Sequence, residues 1–200
     1  LDPLAASPTP RSMTISGKNK ILIENILVGE VWIASGQSNM EWTFHQIDQA
    51  EREFAESQKE NPLIRAFHVD KNLKAGIPMD DTAGVWKDAA QMVVGPNSVS
   101  AVGFFFAAKL QKELGVPVAF ISSAWGGMPI ECFIPQEAYP AVGLPLPKPG
   151  DRAKTVSNAM ILPLAPYALR GAIWYQGESN VGSLVYDKTL SALITSWRKN

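Results

Sequence analysis

The chain has 200 residues, 46% of them hydrophobic and 18% charged, which suits one globular domain, or one domain with a small addition. A formal net charge of -1, with Lys and Arg scattered along the chain, excludes the broad basic field that nucleic acid or an anionic membrane would require. Cys132 is the single cysteine, so an intrachain disulfide and a cysteine-built zinc site are both excluded, and no apolar run reaches the roughly 18 residues of a membrane span.

Residues 1–12 are rich in Pro, Ser and Ala and are expected to form a tail or linker. The chain opens on Leu1 rather than Met, which suggests a processed start, and its first residues lack the charged and apolar regions of a signal peptide. Residues 14–16 and 21–23, separated by Gly17-Lys18-Asn19-Lys20, predict a hairpin. Residues 1–27 are therefore expected to be a tail and hairpin that end an accessory β domain. The main domain is expected over 28–200.

Residues 28–34 predict the first strand of the main sheet, apolar enough to be covered on both faces. Ile47, Ala50 and Phe54 recur at helical spacing and predict a helix over 46–58. A second strand is expected over 63–69. Residues 70–98, with many Gly, Pro, Asp and Asn, are expected to form a long loop. Residues 99–114 predict a helix stopped by Gly115 and followed by Pro117. Residues 118–122 predict a third strand, and 135–139 a short element. Residues 143–150 should form a proline-stiffened loop. A fourth strand over 169–175 and a helix over 184–198 complete the order.

Strands alternate with helices and lack period-two patterning, which predicts a parallel sheet with helices on both faces. In such α/β folds reactive groups gather at the carboxyl ends of the strands. Three polar, glycine-bearing motifs fall there. Gly36-Gln37-Ser38-Asn39-Met40 follows the first strand and makes Ser38 a candidate nucleophile at the start of a helix. Ser38 is equally well placed as a helix N-cap, as is Asn39. Gly126-Gly127 follows the third strand, either as oxyanion-binding amides or as a plain tight turn. Trp174-Tyr175-Gln176-Gly177-Glu178-Ser179-Asn180 follows the fourth. Gln176 has an amide suited to an oxyanion, and Glu178 suits acid/base work, orientation of a neighbour or a sugar hydroxyl. Trp174 and Tyr175 suit either a sugar wall or core packing. His45 and His68, the two histidines, carry no orienting acid in a typical position, although Asp70 is near His68 in sequence, and both are read as structural. No His/Asp/Glu cluster has metal-ligand spacing, and no cofactor is called for. A nucleotide site is disfavoured because no phosphate-cradling glycine pattern follows the first strand.

The motifs resemble those of the SGNH-hydrolase superfamily. They are closest to the sialate O-acetylesterase family, with the acetylxylan esterases of carbohydrate esterase family six beside it. The resemblance is carried by Gly29-Glu30-Val31-Trp32-Ile33-Ala34-Ser35-Gly36-Gln37-Ser38-Asn39-Met40-Glu41-Trp42, by Trp125-Gly126-Gly127-Met128-Pro129-Ile130-Glu131, and by Gly171-Ala172-Ile173-Trp174-Tyr175-Gln176-Gly177-Glu178-Ser179-Asn180. It implies a three-layer α/β/α, flavodoxin-like fold, with the parallel sheet incomplete at the C-terminus. It also implies attack by Ser38 on an acetyl ester of sialic acid or a related sugar, through an acetyl-enzyme. The oxyanion would be held by the Ser38 amide, a Gly126 or Gly127 amide and the Gln176 side chain, with Asn180 as the alternative side-chain donor. The resemblance places Glu178 among the catalytic groups, and Gln37, Asn39, Trp125 and Asn180 against substrate. It favours a periplasmic or secreted location.

The family's histidine stands in an Asp-x-x-His motif before a proline. Here no Asp stands three residues before a histidine. The 200 residues are therefore expected to be a fragment of the family fold, weakly active or inactive alone, because a serine without a base is a poor nucleophile. The competing expectation is a non-catalytic carbohydrate-binding or structural module on the same scaffold. An incomplete sheet would also leave an edge open to homo-oligomerisation.

Overall fold

The computed structural model of the protein describes residues 2–72, 76–94, 99–148 and 156–199. Strands β1 (Ser7–Ser16) and β2 (Lys20–Val28) form an antiparallel hairpin separate from the main sheet. The hairpin starts earlier than expected, inside the segment read as linker. Pro8 and Pro10 are tolerated because the pairing is irregular there, with register shifts between Ser7 and Arg11 and between Arg11 and Met13. A proline cannot donate to a ladder, so it is confined to such places.

Among the described residues the main sheet has five strands, in the order β5-β4-β6-β3-β7. Its members are β3 (Glu30–Gly36), β4 (Ile64–Val69), β5 (Gly84–Asp88), β6 (Val118–Ala124) and β7 (Gly171–Tyr175). β3 runs parallel to β6 on one side and to β7 on the other, and β4 runs parallel to β6. β5 is antiparallel to β4 and forms an edge. The long loop expected over 70–98 thus contains a strand, β5, and a short helix, α3 (Ala89–Val93). β5 is mostly exposed and shows no apolar run, so the usual strand signal is missing. The helix start was signalled by a capping box, Asp88 with Gln91, in which each side chain accepts the other residue's amide, at 2.8 and 3.0 Å.

The helix expected over 46–58 is a 3-10 turn at Phe44–Gln46 followed by α2 (Gln49–Ser57), which Asp48 caps by accepting the Glu51 amide at 3.0 Å. α4 (Ala101–Leu114) begins at the Ser100 cap and stops at Gly115, which is left-handed with φ 67°. It lies close on one face of the sheet. A Cβ on Gly103 would stand 2.6 Å from the Phe120 ring and 3.3 Å from Ala34. Phe104, Ala107, Ala66 and Met92 complete that core. On the opposite face Ile33, Val69 and Ile121 pack under residues 130–134, the segment 156–164 and α5 (Tyr186–Lys199). Burying one such Ile or Phe side chain contributes about 1.5–3 kcal/mol. The helices on both faces and the parallel strands give the expected three-layer α/β/α architecture, with an antiparallel edge strand added.

The element expected over 135–139 is a pair of 3-10 turns, Gln136–Ala138 and Pro140–Val142. Of the loop expected over 143–150, positions 149 and 150 lie outside the described residues. Among the described residues no helix is long and apolar enough to cross a membrane.

Candidate active site

β3, β6 and β7 end level with one another, and backbone bonds join their ends. Gln37 donates its amide to Tyr175 O at 3.0 Å, and Trp125 donates to Gly36 O at 2.9 Å. Gly36 has φ 141°, and a Cβ there would lie 2.1 Å from Tyr175 O, so this position accepts only glycine. The chain then turns into α1 (Ser38–Glu41), a single helical turn. Ser38 is its first residue and is partly exposed. Among the described residues its hydroxyl and its amide have no hydrogen-bond partner. Ser38 is not the N-cap, a position held by Gln37.

The turn after β6 comes up beside Ser38. Met128 donates its amide to Trp125 O at 3.3 Å, with Gly126 and Gly127 between them and Gly127 left-handed at φ 74°. A positive φ at the third position of a β-turn is the need that glycine meets. A Cβ on Gly126 would stand 3.6 Å from Ser38 Cβ and 2.9 Å from Glu41 Oε2. The Gly126 amide donates to Glu41 Oε2 at 2.7 Å. The amide of Gly127 has no partner among the described residues.

The segment after β7 is tied to the nucleophile turn in two places. Gln37 is buried, and its Oε1 accepts the amides of Gly177 at 3.3 Å and Ser179 at 3.1 Å. Its carboxamide oxygen therefore holds the loop rather than facing solvent. Asn39 Nδ2 donates to Glu178 Oε1 at 2.5 Å, which brings these two expected site residues together at the surface. Gln176 and Asn180 are paired with each other. Gln176 Nε2 donates to Asn180 Oδ1 at 2.6 Å and to Met128 O at 3.3 Å, and its Oε1 accepts from Tyr186 OH at 2.8 Å. Asn180 donates to both oxygens of Glu131, at 3.2 and 2.9 Å, and accepts the Ile130 amide at 2.9 Å. Both carboxamides are thus engaged in one network. Trp174 packs edge-on against Phe133 and Trp197 and belongs to the core, whereas Tyr175 is about half exposed.

Neither histidine is hydrogen-bonded to Ser38. His45 is exposed on the 3-10 turn at Phe44–Gln46. His68, on β4, pairs with Ser122 of β6, so two strand spacings of about 4.8 Å separate its row from that of β3. Its Nδ1 is buried and unpartnered among the described residues. Burial, then Lys87, push the imidazole below its ordinary value of 6.5, while Asp70 and Glu41 pull it back. Among the described residues no group of three or more His, Cys, Asp and Glu is placed to hold a metal ion.

A protein-family model described as "Carbohydrate esterase, sialic acid-specific acetylesterase" matches residues 28–200. The chain belongs to this family of carbohydrate esterases. Its relatives include the human sialate O-acetylesterase, 33% identical over 195 residues, a match covering 88% of this chain and 36% of the human protein. The rat sialate O-acetylesterase is 30% identical over 220 residues, covering 88% of this chain and 40% of that one. A carbohydrate acetylesterase of known structure from Xanthomonas citri superposes with a TM-score of 0.84 at 32% identity, covering 100% of this chain and 45% of that chain. The chain thus spans less than half the length of each of these relatives. This esterase-family domain also has a cavity of about 700 Å³ away from Ser38, beside the β7 edge and lined by Leu164, Leu169, Trp174, Leu193 and Trp197 among others.

Three further side chains at or beside these strand ends lie outside the expected set. Glu41 lies one helical turn beyond Ser38, a spacing that puts residues three apart on one face. Lys71 follows the carboxyl end of β4, where such folds gather their reactive groups. Tyr186 opens α5 and reaches Gln176 only through the tertiary fold, so no local signal marks it.

Proposed function

We propose that this chain is the nucleophile-bearing part of an esterase that removes O-acetyl groups from sialic acid or a related acetylated sugar. The observation that carries the reading is Ser38 itself. It stands at a strand-end turn with an unengaged hydroxyl beside the double-glycine turn, inside a chain that belongs to a family of carbohydrate acetylesterases. In the proposed reaction Ser38 Oγ attacks the acetyl carbonyl and loses its proton to a base. The sugar oxygen leaves with that proton, which gives an acetyl-enzyme and a free sugar hydroxyl. Water then attacks the acetyl group, releasing acetate and restoring Ser38. Developing charge on the carbonyl oxygen falls to the Ser38 amide and a glycine amide of the turn. Removing one such donor typically costs on the order of 100-fold in rate. The engagement of Gln176 and Asn180 in their own network supports an orienting task for them over direct donation.

The base is an imidazole from outside the Ser38 neighbourhood described above. We therefore expect slow turnover by the 200 residues alone and a gain when imidazole is added to the solution. The assay is acetate release from an aryl acetate, with and without imidazole, by the chain and by its Ser38→Ala variant. A Ser38-dependent rate that rises with imidazole is the expected result. A rate unchanged by Ser38→Ala overturns the esterase reading. A second reading, a carbohydrate-binding module without catalysis, draws support from the lack of a hydrogen bond between Ser38 and either histidine among the described residues. Sugar binding without Ser38-dependent turnover would favour it.

A further inference from the structure

Glu41 is held at both carboxylate oxygens. Oε2 accepts the Gly126 amide at 2.7 Å, and Oε1 pairs with the Lys71 ammonium. Lys71 in turn lies over the Trp125 indole, 5.3 Å from the ring centroid. One side chain therefore joins α1, which follows β3, to the segment after β4 and to the turn after β6. The ion pair is partly exposed and contributes little by itself. The amide bond matters more, since a hydrogen bond to a carboxylate is roughly twice as strong as a neutral one.

This arrangement engages the Gly126 amide and leaves the Gly127 amide unpaired among the described residues. The turn is gripped at two successive residues, by Gly36 O on the Trp125 amide and by Glu41 on the Gly126 amide. A carboxylate oxygen 2.7 Å from a backbone amide beside a serine also resembles a bound oxyanion. A placeholder that substrate must expel, however, should be loosely held, and Glu41 is held by a short charge-assisted bond from the Gly126 amide.

We propose that Glu41 is a positioning residue for the reaction at Ser38. By binding Gly126 it fixes the turn of residues 125–128 so that the Gly127 amide, with that of Ser38, is the pair offered to the oxyanion. The proposal rests on the esterase reading above and adds to it a residue outside the expected set.

The test has two independent readouts in the wild-type chain, Glu41→Ala and Glu41→Gln. The first is the amide proton resonance of Gly126, assigned by NMR. It is expected downfield in the wild type, moved upfield in Glu41→Ala and partly restored in Glu41→Gln, which keeps an acceptor oxygen. The second is Ser38-dependent acetate release with added imidazole. Glu41→Ala is expected to lower kcat by roughly 10- to 100-fold, the scale of a misplaced catalytic group, with KM changed less than about twofold. Glu41→Gln should recover to within about fivefold of wild type, since it retains the bond to Gly126 without the charge. An unchanged Gly126 resonance in Glu41→Ala overturns the clamp. A shifted resonance with turnover equal to or above wild type overturns the positioning role and makes Glu41 a placeholder. Turnover that does not depend on Ser38, or none at all, overturns the esterase reading and the positioning role together, while the Gly126 resonance still reports the clamp. The remaining amide resonances show whether each variant folds, and Glu41→Gln carries the test if Glu41→Ala does not.

Discussion

Gly36→Ala separates a backbone collision from an ordinary loss of glycine freedom. The added Cβ would stand 2.1 Å from Tyr175 O and 2.7 Å from its carbonyl carbon, at a φ of 141° that L-residues rarely adopt. No side-chain rotamer relieves this, because the obstacle is the backbone of β7, paired at that register with β3. The strained backbone costs about 1–3 kcal/mol. Moving β7 away also weakens the Gln37 to Tyr175 bond, worth about 1 kcal/mol net. The sum is about 2–4 kcal/mol, which for a domain of this size lowers Tm by roughly 4–16 °C. Gly127→Ala is the control. Its φ is 74°, but nothing lies within 4 Å of the added Cβ, so only the left-handed conformation is penalised, by about 1–2 kcal/mol. Thermal unfolding followed by circular dichroism on both variants measures the difference. Gly36→Ala melting within about 2 °C of wild type, or no lower than Gly127→Ala, would refute the picture of strand ends held in close backbone contact.

Further outcomes concern the polar ties and the sheet. Gln37→Ala leaves the Gly177 and Ser179 amides without their acceptor and should cost about 1–3 kcal/mol in urea unfolding, with amide resonances of residues 177–180 shifting most. Tyr186→Phe removes the donor to Gln176 and should cost about 1 kcal/mol by the same measurement. His68 has a folded-state pKa below its ordinary value of 6.5, so the unfolded chain takes up the proton first as pH falls. Its contribution is full above pH 6.5 and is lost as pH drops through the folded-state pKa. Unfolding free energy should therefore decline below pH 6.5 in wild type, and His68→Gln should flatten that part of the curve. β7 forms a sheet edge beside an apolar cavity, and we expect self-association through it, read as a concentration-dependent mass in light scattering and reduced by a Lys at Ala172.

The α/β architecture is legible because its central strands and α4 carry strong local signals; Gly115 ends the helix as expected, and Ser100 caps a start two residues later than the expected one. β5 is not, since an exposed edge strand of Gly-Val-Trp-Lys-Asp shows neither an apolar run nor alternation. The second half of β1 is legible as a hairpin strand, but its first half falls in the Pro-rich stretch expected as linker, and the irregular pairing that accommodates those prolines is a tertiary feature. At the candidate site, the three motifs fall at adjacent strand ends, but the sequence does not give the direction of each side chain. Gln37, expected against substrate, is buried under the loop it holds. Gln176, expected as an oxyanion donor, and Asn180, its alternative, bond to each other. The Gln37 ties join positions about 140 residues apart, which no local pattern reveals, whereas Gln176 and Asn180 are four residues apart and meet because the turn after β7 folds back on itself. Glu41 lies inside the first motif, but no local pattern marks it, because its partners, Gly126 and Lys71, come from two other strand ends.

The most direct test of the account is to catch the acyl group on the protein. The chain is mixed with an aryl acetate and imidazole, quenched in acid within the first turnover, digested and mapped by mass spectrometry. Acetyl on the peptide carrying Ser38, localised to that residue and absent from Ser38→Ala, is the predicted result. An unmodified Ser38 in a sample that is releasing acetate at a rate the substitution does not change would contradict it.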